Sequence, residues 1–155
     1  MNNYLLTTLS RLNKGFVLLD VLLREEFSAL KGHDTKKIAA VEFSVQELLQ
    51  QLMREKQILS RNIKEKGFDS LNEWLHKNPE EEKTAKIWER TKEKEQQAAV
   101  QGAKNNKLAN ALAEQSNMLL GFFYDQLSVE QEDVYSSRAT FARRRKDAGI
   151  IRGRL

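Results

Sequence analysis

The chain has 155 residues, a formal net charge of +4, 31% charged and 40% apolar residues, and a mean hydropathy of -0.63. That is room for one domain built of helices with one apolar face, not for a thick globule. The absence of cysteine excludes disulfides and thiolate metal sites, and no apolar run approaches the ~20 residues that cross a bilayer, so the chain reads as soluble and not membrane-embedded.

The stretch MNNYLLTTLSRLNKGF has no charged region ahead of its apolar residues and does not read as a signal peptide, which together with the missing cysteines fits the cytoplasm. The charge is uneven. Arg138, Arg143, Arg144, Arg145, Lys146, Arg152 and Arg154 face one acid, Asp147, in residues 136–155. That surplus of six leaves residues 1–135 at -2, so the basic character belongs to the tail. One proline and seven glycines leave few places where a helix must stop.

A first helix is expected from about Asn3 to Lys31, because Leu5, Leu9, Leu12, Phe16, Leu19 and Leu23 alternate spacings of four and three. Gly32 supplies a stop and Asp34 an N-cap. A second helix follows from Thr35 to about Lys66, on a seam of Ile38, Val41, Val45, Leu48, Leu52, Leu59 and Ile63 that Glu55 and Lys56 interrupt. So short a connection makes the two an antiparallel hairpin. Gly67 ends the second helix, and Ser70 with Glu73 forms a capping box for a short helix through Lys77. Phe68, Leu71 and Trp74 give that segment an apolar plug for the end of the hairpin.

Asn78-Pro79 opens a third long helix, with Glu80, Glu81 and Glu82 placed against its N-terminal dipole. Its seam reads Ile87, Thr91, Lys94, Ala98, Gln101, Asn105, Leu108, Leu112, Gln115, Leu119 and Phe122, sound in spacing but polar in the middle. From Glu80 to Leu127 it would be roughly 70 Å long, part of it projecting past the hairpin or loosely packed on it. A last helical piece is expected from Ser128 to about Lys146. The fold class is therefore all-α: an elongated antiparallel bundle with a body over residues 1–127 and a mobile, partner-binding C-terminal segment over residues 128–155.

Little in the sequence points to catalysis. Glu73 and His76 form one E-x-x-H pair, but di-iron bundles need two copies and further glutamates, and His33, the only other histidine, falls in a turn. No phosphate loop, dinucleotide fingerprint, nucleophile elbow or zinc motif occurs, so the chain reads as no enzyme and no cofactor or metal is implied. Asn105 and its neighbours have two readings: a buried asparagine that fixes helix register, or a hydrogen-bonding groove for another chain. Leu119, Leu120, Phe122, Phe123 and Tyr124 are apolar on every side. We expect the hairpin to cover one face and the C-terminal piece the other, the alternative being a patch that a partner covers. The arginine-rich tail, with Phe141, Ile150 and Ile151, fits a solvated or partner-docking basic helix better than a nucleic-acid arm, since no recognition motif accompanies it.

Three stretches carry a family resemblance: Leu22-Leu23-Arg24-Glu25-Glu26-Phe27-Ser28-Ala29-Leu30; Glu47-Leu48-Leu49-Gln50-Gln51-Leu52 with Arg61 beyond; and Asn105 to Leu120, followed by Val134-Tyr135. The pattern resembles the FlgN family of flagellar type III export chaperones, with Ser136 where many members have a glycine after the tyrosine. The resemblance implies a cytoplasmic chaperone that binds hook-associated (hook–filament junction) proteins and delivers them to the export gate membrane protein. It implies a cargo-facing C-terminal region from about Leu127 to Leu155 and gate binding through Tyr135; with the groove and apolar patch read from the residues, the expected cargo contacts are Asn105, Leu108, Leu112, Leu119, Phe122, Val134 and Phe141. The alternatives are a structural coiled-coil adaptor and a basic-tailed nucleic-acid binder.

Overall fold

The computed structural model describes the backbone of residues 3–138 and the side chains of residues 3–127. Among the described residues there is no strand; the helices are α1 (Asn3–Lys31), α2 (Thr35–Glu65), α3 (Leu71–Lys77) and α4 (Glu82–Arg138). This is the all-helical class expected from the sequence. The chain divides into two units, Met1–Ala111 and Leu112–Leu155.

In the first unit the α1 seam is buried at all six positions, Leu9 completely. It packs on Val41, Val45, Leu52, Leu59 and Ile63 of α2. A Cβ at Gly15 would lie 2.5 Å from the Leu52 Cδ2, so the missing side chain at position 15 is what lets Leu52 seat against α1. The two charged residues that interrupt the α2 seam are both satisfied. Glu55 accepts from the Arg11 guanidinium at 3.0 Å. Lys56 pairs with Glu95 of α4, and its ammonium stands 5.6 Å from the centroid of the Phe16 ring. Long charged side chains can occupy a seam when their stems cover apolar surface and their heads reach a partner.

Backbone caps fix both turns. After α1 the left-handed residue is His33 (φ 53°), not the Gly32 expected to stop the helix. The His33 N–H donates to the Leu30 carbonyl and the Asp34 N–H to the Ala29 carbonyl, at 3.2 and 3.1 Å. This is the double closure of a Schellman motif, and it seats the left-handed residue one position later than the glycine. Asp34 then caps α2, its carboxylate accepting from the Lys37 N–H at 3.0 Å. Gly67 (φ 81°) plays the corresponding part after α2, with the Phe68 N–H on the Ile63 carbonyl. Ser70 accepts from the Glu73 N–H at 3.2 Å. The Glu73 carboxylate accepts from the Asp69 N–H, one residue earlier than a standard capping box would have it. Leu71 and Trp74 enter the core, and Phe68 and Leu75 pack against it, as an apolar plug should.

Helix α4 starts at Glu82, two residues later than Glu80. The Glu81 carbonyl accepts from the Ala85 N–H at 3.0 Å, and its carboxylate from the Thr84 hydroxyl at 3.1 Å. In the first unit, Thr84, Thr91, Ala98 and Asn105 recur every seventh residue and are all buried, with Gln101. The polar middle of the seam is therefore packed. The Thr91 hydroxyl donates within the helix to the Ile87 carbonyl at 2.7 Å, and the Asn105 amide reaches α1.

In the second unit α4 does not stop near Leu127, nor does a separate helix begin at Ser128. The helix runs through Gly121 and Ser128 to Arg138. A lone glycine costs a helix about 1 kcal/mol, too little to end a run with no proline to force the break. A side chain at Gly121 would meet nothing within 4 Å, so no packing demand explains the glycine. The expected extension to Lys146 lies outside the described residues.

Candidate functional site

The residues proposed from sequence to meet another chain fall into three groups. Asn105 belongs to the first unit and is almost wholly buried, 3% exposed. Its amide nitrogen donates to the Leu23 carbonyl at 2.7 Å and to the Glu26 carboxylate at 2.6 Å. Its amide oxygen accepts from the Gln101 side chain at 3.0 Å. The amide nitrogen is thus engaged across to the C-terminal end of α1 and the amide oxygen within α4, which is the register-fixing reading of this asparagine. Leu108, one turn on, is half-buried.

The second group lies in the second unit. Leu112 is half-buried. Leu119 and Phe122 are exposed, at 53% and 58%. Leu120, Phe123 and Tyr124 are exposed as well, so among the described residues this apolar stretch is open and not covered on both faces; the part of the expected C-terminal cover past residue 138 lies outside them. Sequence reasoning had not included Met118 and Leu127, both exposed beside it. The signal for Leu127 was available, since Leu120, Leu127, Val134 and Phe141 recur every seven residues. The Phe122 and Phe123 rings stand edge to face, with their centroids 6.2 Å apart.

The third group is Val134, Tyr135 and Phe141. The first two belong to α4 by backbone, with side chains outside the described residues, and Phe141 lies outside them altogether.

A groove of about 460 Å³ also opens in the first unit between α2 and α4. Its floor is Phe16, Leu19 and Leu23, already core residues, and the Lys56–Glu95 pair stands at one end. Leu49, itself exposed, also lines it. The Glu73 carboxylate of the E-x-x-H pair is used on the Asp69 N–H and on Lys77 at 3.6 Å. Among the described residues no helix is long and apolar enough to cross a membrane.

The apolar helix stretch left open in the second unit offers surface on which another polypeptide can pack. The family comparison agrees. The model of the FlgN protein family matches residues 1–141, and the chain belongs to that family. Membership implies the general role of a flagellar export chaperone, a family of chaperones and not of enzymes. No curated protein and no solved structure matches the chain significantly.

Proposed function

We propose that this chain is a cytoplasmic chaperone for hook-associated, hook–filament junction proteins, which it binds through the apolar stretch of α4 and delivers to the export gate. The observation that carries this reading is the exposure of Leu119 and Phe122, with their apolar neighbours, in a chain of the FlgN family. Seven large apolar side chains on one short stretch of helix exceed what a monomer ordinarily leaves in water. Cargo segments that aggregate when free carry matching apolar surface, and binding removes both from water. The contact surface runs over Leu112, Leu119 and Phe122 and continues along the sequence to Val134 and Phe141. Asn105 serves it indirectly, by fixing the register of the helix that bears these residues.

Tyr135 is assigned to the export gate. An aromatic ring with a hydroxyl suits a contact that must be made and released, because it offers apolar area at low entropic cost and one polar handle. Titration calorimetry with a purified hook–filament junction protein of the same organism tests the reading. Wild-type chain binds it; Leu119→Gln with Phe122→Gln loses most of that affinity. Tyr135→Ala keeps cargo affinity unchanged while export of the cargo falls in cells. Wild-type chain that fails to bind any hook–filament junction protein refutes the reading.

A further inference from the structure

At 100° per residue, the exposed side chains Met118, Phe122, Leu119, Phe123, Leu127, Leu120 and Tyr124 follow one another around α4 over an arc of about 240°. The remaining sector carries Asn117, Gly121, Glu114 and Asp125. A helix that packs on one neighbour needs an apolar stripe only about 100° wide. The arc here is more than twice that. The three aromatic rings alone, each more than half exposed, present on the order of 350 Å².

We infer that the cargo segment held on this stretch is a pair of helices that embraces α4 from two sides, not a single helix or an extended strand laid along one side. The inference rests on the proposed cargo-binding role and specifies the form of the partner. One helix laid over Phe122 and Leu119 would leave Leu120, Leu127 and Tyr124 in water, and a helix over these would leave Phe122 and Met118 exposed. Two helices, one centred near Leu119 and the other near Leu120 and Leu127, cover the whole arc and leave only the Asn117–Gly121–Asp125 sector facing solvent. An extended strand is excluded by the same count, because it buries alternate side chains against one narrow face of a helix. The geometry makes α4 the central helix of a small bundle whose other members come from the cargo.

The test uses the full chain and a purified hook–filament junction protein of the same organism. Phe122→Gln and Leu119→Gln probe one side of the arc, and Leu120→Gln and Leu127→Gln the other. Glutamine propagates a helix nearly as well as leucine and all four positions are exposed, so each variant keeps the wild-type far-UV circular dichroism spectrum. Each pair of substitutions, on either side, is expected to weaken cargo binding at least tenfold. Hydrogen exchange on the cargo in the complex is expected to show two separate helical stretches protected, at one cargo chain per chaperone. Loss of binding from one side only, or a single protected stretch, overturns the inference while leaving the chaperone reading standing. Two cargo chains per chaperone, each with one protected stretch, overturns it as well. If wild-type chain does not bind the cargo at all, the chaperone reading fails and this inference falls with it.

Discussion

Two parts of the same helix invert the usual relation between polarity and burial. In the first unit the buried face of α4 is Thr84, Thr91, Ala98 and Asn105, with Gln101 beside them. In the second unit the residues left in water are Met118, Leu119, Leu120, Phe122, Phe123, Tyr124 and Leu127. The small and polar positions are tolerated inside because the polar groups have partners, a helix carbonyl for Thr91 and Leu23, Glu26 and Gln101 for Asn105. The large apolar positions have no such answer within the described residues. Burial in this protein is decided by who is present to pack, and side-chain chemistry alone does not reveal it.

The largest effect expected from breaking this contrast comes from paired truncations. Leu9 is fully buried, and Leu9→Ala should cost about 2–5 kcal/mol through lost burial and the cavity left behind. Leu119→Ala, at an exposed position, should stay within about 0.5 kcal/mol. Denaturant unfolding of the two variants measures the difference. Comparable losses would mean that Leu119 is packed in solution and that the open stretch is not open.

Asn105→Ala comes next. It strips partners from the Leu23 carbonyl, the Glu26 carboxylate and the Gln101 amide, and should cost about 1–3 kcal/mol. The same unfolding experiment reads it. In calorimetry with cargo, the variant should bind with near wild-type affinity under conditions where it remains folded. A variant as stable as wild type that has lost cargo binding would place Asn105 at the interface and not in the frame.

What could be read in advance follows the same division. The α1 seam was legible because leucines at alternating spacings of four and three have only one sensible place to go, and all six positions are buried. Ser70 and Asp34 were legible as caps because a short acceptor ahead of an apolar run has a definite task. The fate of Leu119 to Tyr124 was not legible. An all-round apolar helix reads as a buried helix, and nothing in its spacing tells whether the covering surface belongs to the same chain. Asn105 was left between two readings because its partners, Leu23 and Glu26, lie some eighty residues away. The continuation of α4 past Leu127 was not legible because the run was divided at Ser128, although with no proline there neither that serine nor Gly121 costs a helix enough to end it.

Gly15→Ala sharpens the contrast from the side of close packing. Alanine gains about 1 kcal/mol of helix propensity over glycine, whereas overfilling a packed seam costs about 1–3 kcal/mol. The new Cβ would meet the Leu52 Cδ2 at 2.5 Å, and Leu52 is itself buried, so it has little room to turn away. Net destabilisation of about 1 kcal/mol is expected, read as a lower denaturant midpoint. Gly121→Ala meets nothing within 4 Å and should instead stabilise α4. A stabilising Gly15→Ala would show that the α1–α2 seam is looser than its burial implies.

The smallest effect concerns the turn after α1. His33 holds a left-handed conformation at φ 53°, which costs a residue with a Cβ roughly 1–2 kcal/mol. Glycine adopts it freely but loses about 0.5–1 kcal/mol more backbone entropy on folding. The two contributions nearly balance, leaving His33→Gly more stable by about 0.5–1 kcal/mol, a modest rise in unfolding midpoint. The His33 side chain is exposed, and the closure of the turn uses only backbone groups, so nothing else is lost. The value of this variant lies in what it should leave untouched. It strengthens the first unit at a point remote in sequence from the apolar stretch of α4, so cargo affinity should remain that of wild type. If affinity instead changes in step with stability, the two units are coupled and the open stretch depends on the hairpin for its binding competence. If stability does not rise, the left-handed residue is relieved in solution and the turn closes in some other way.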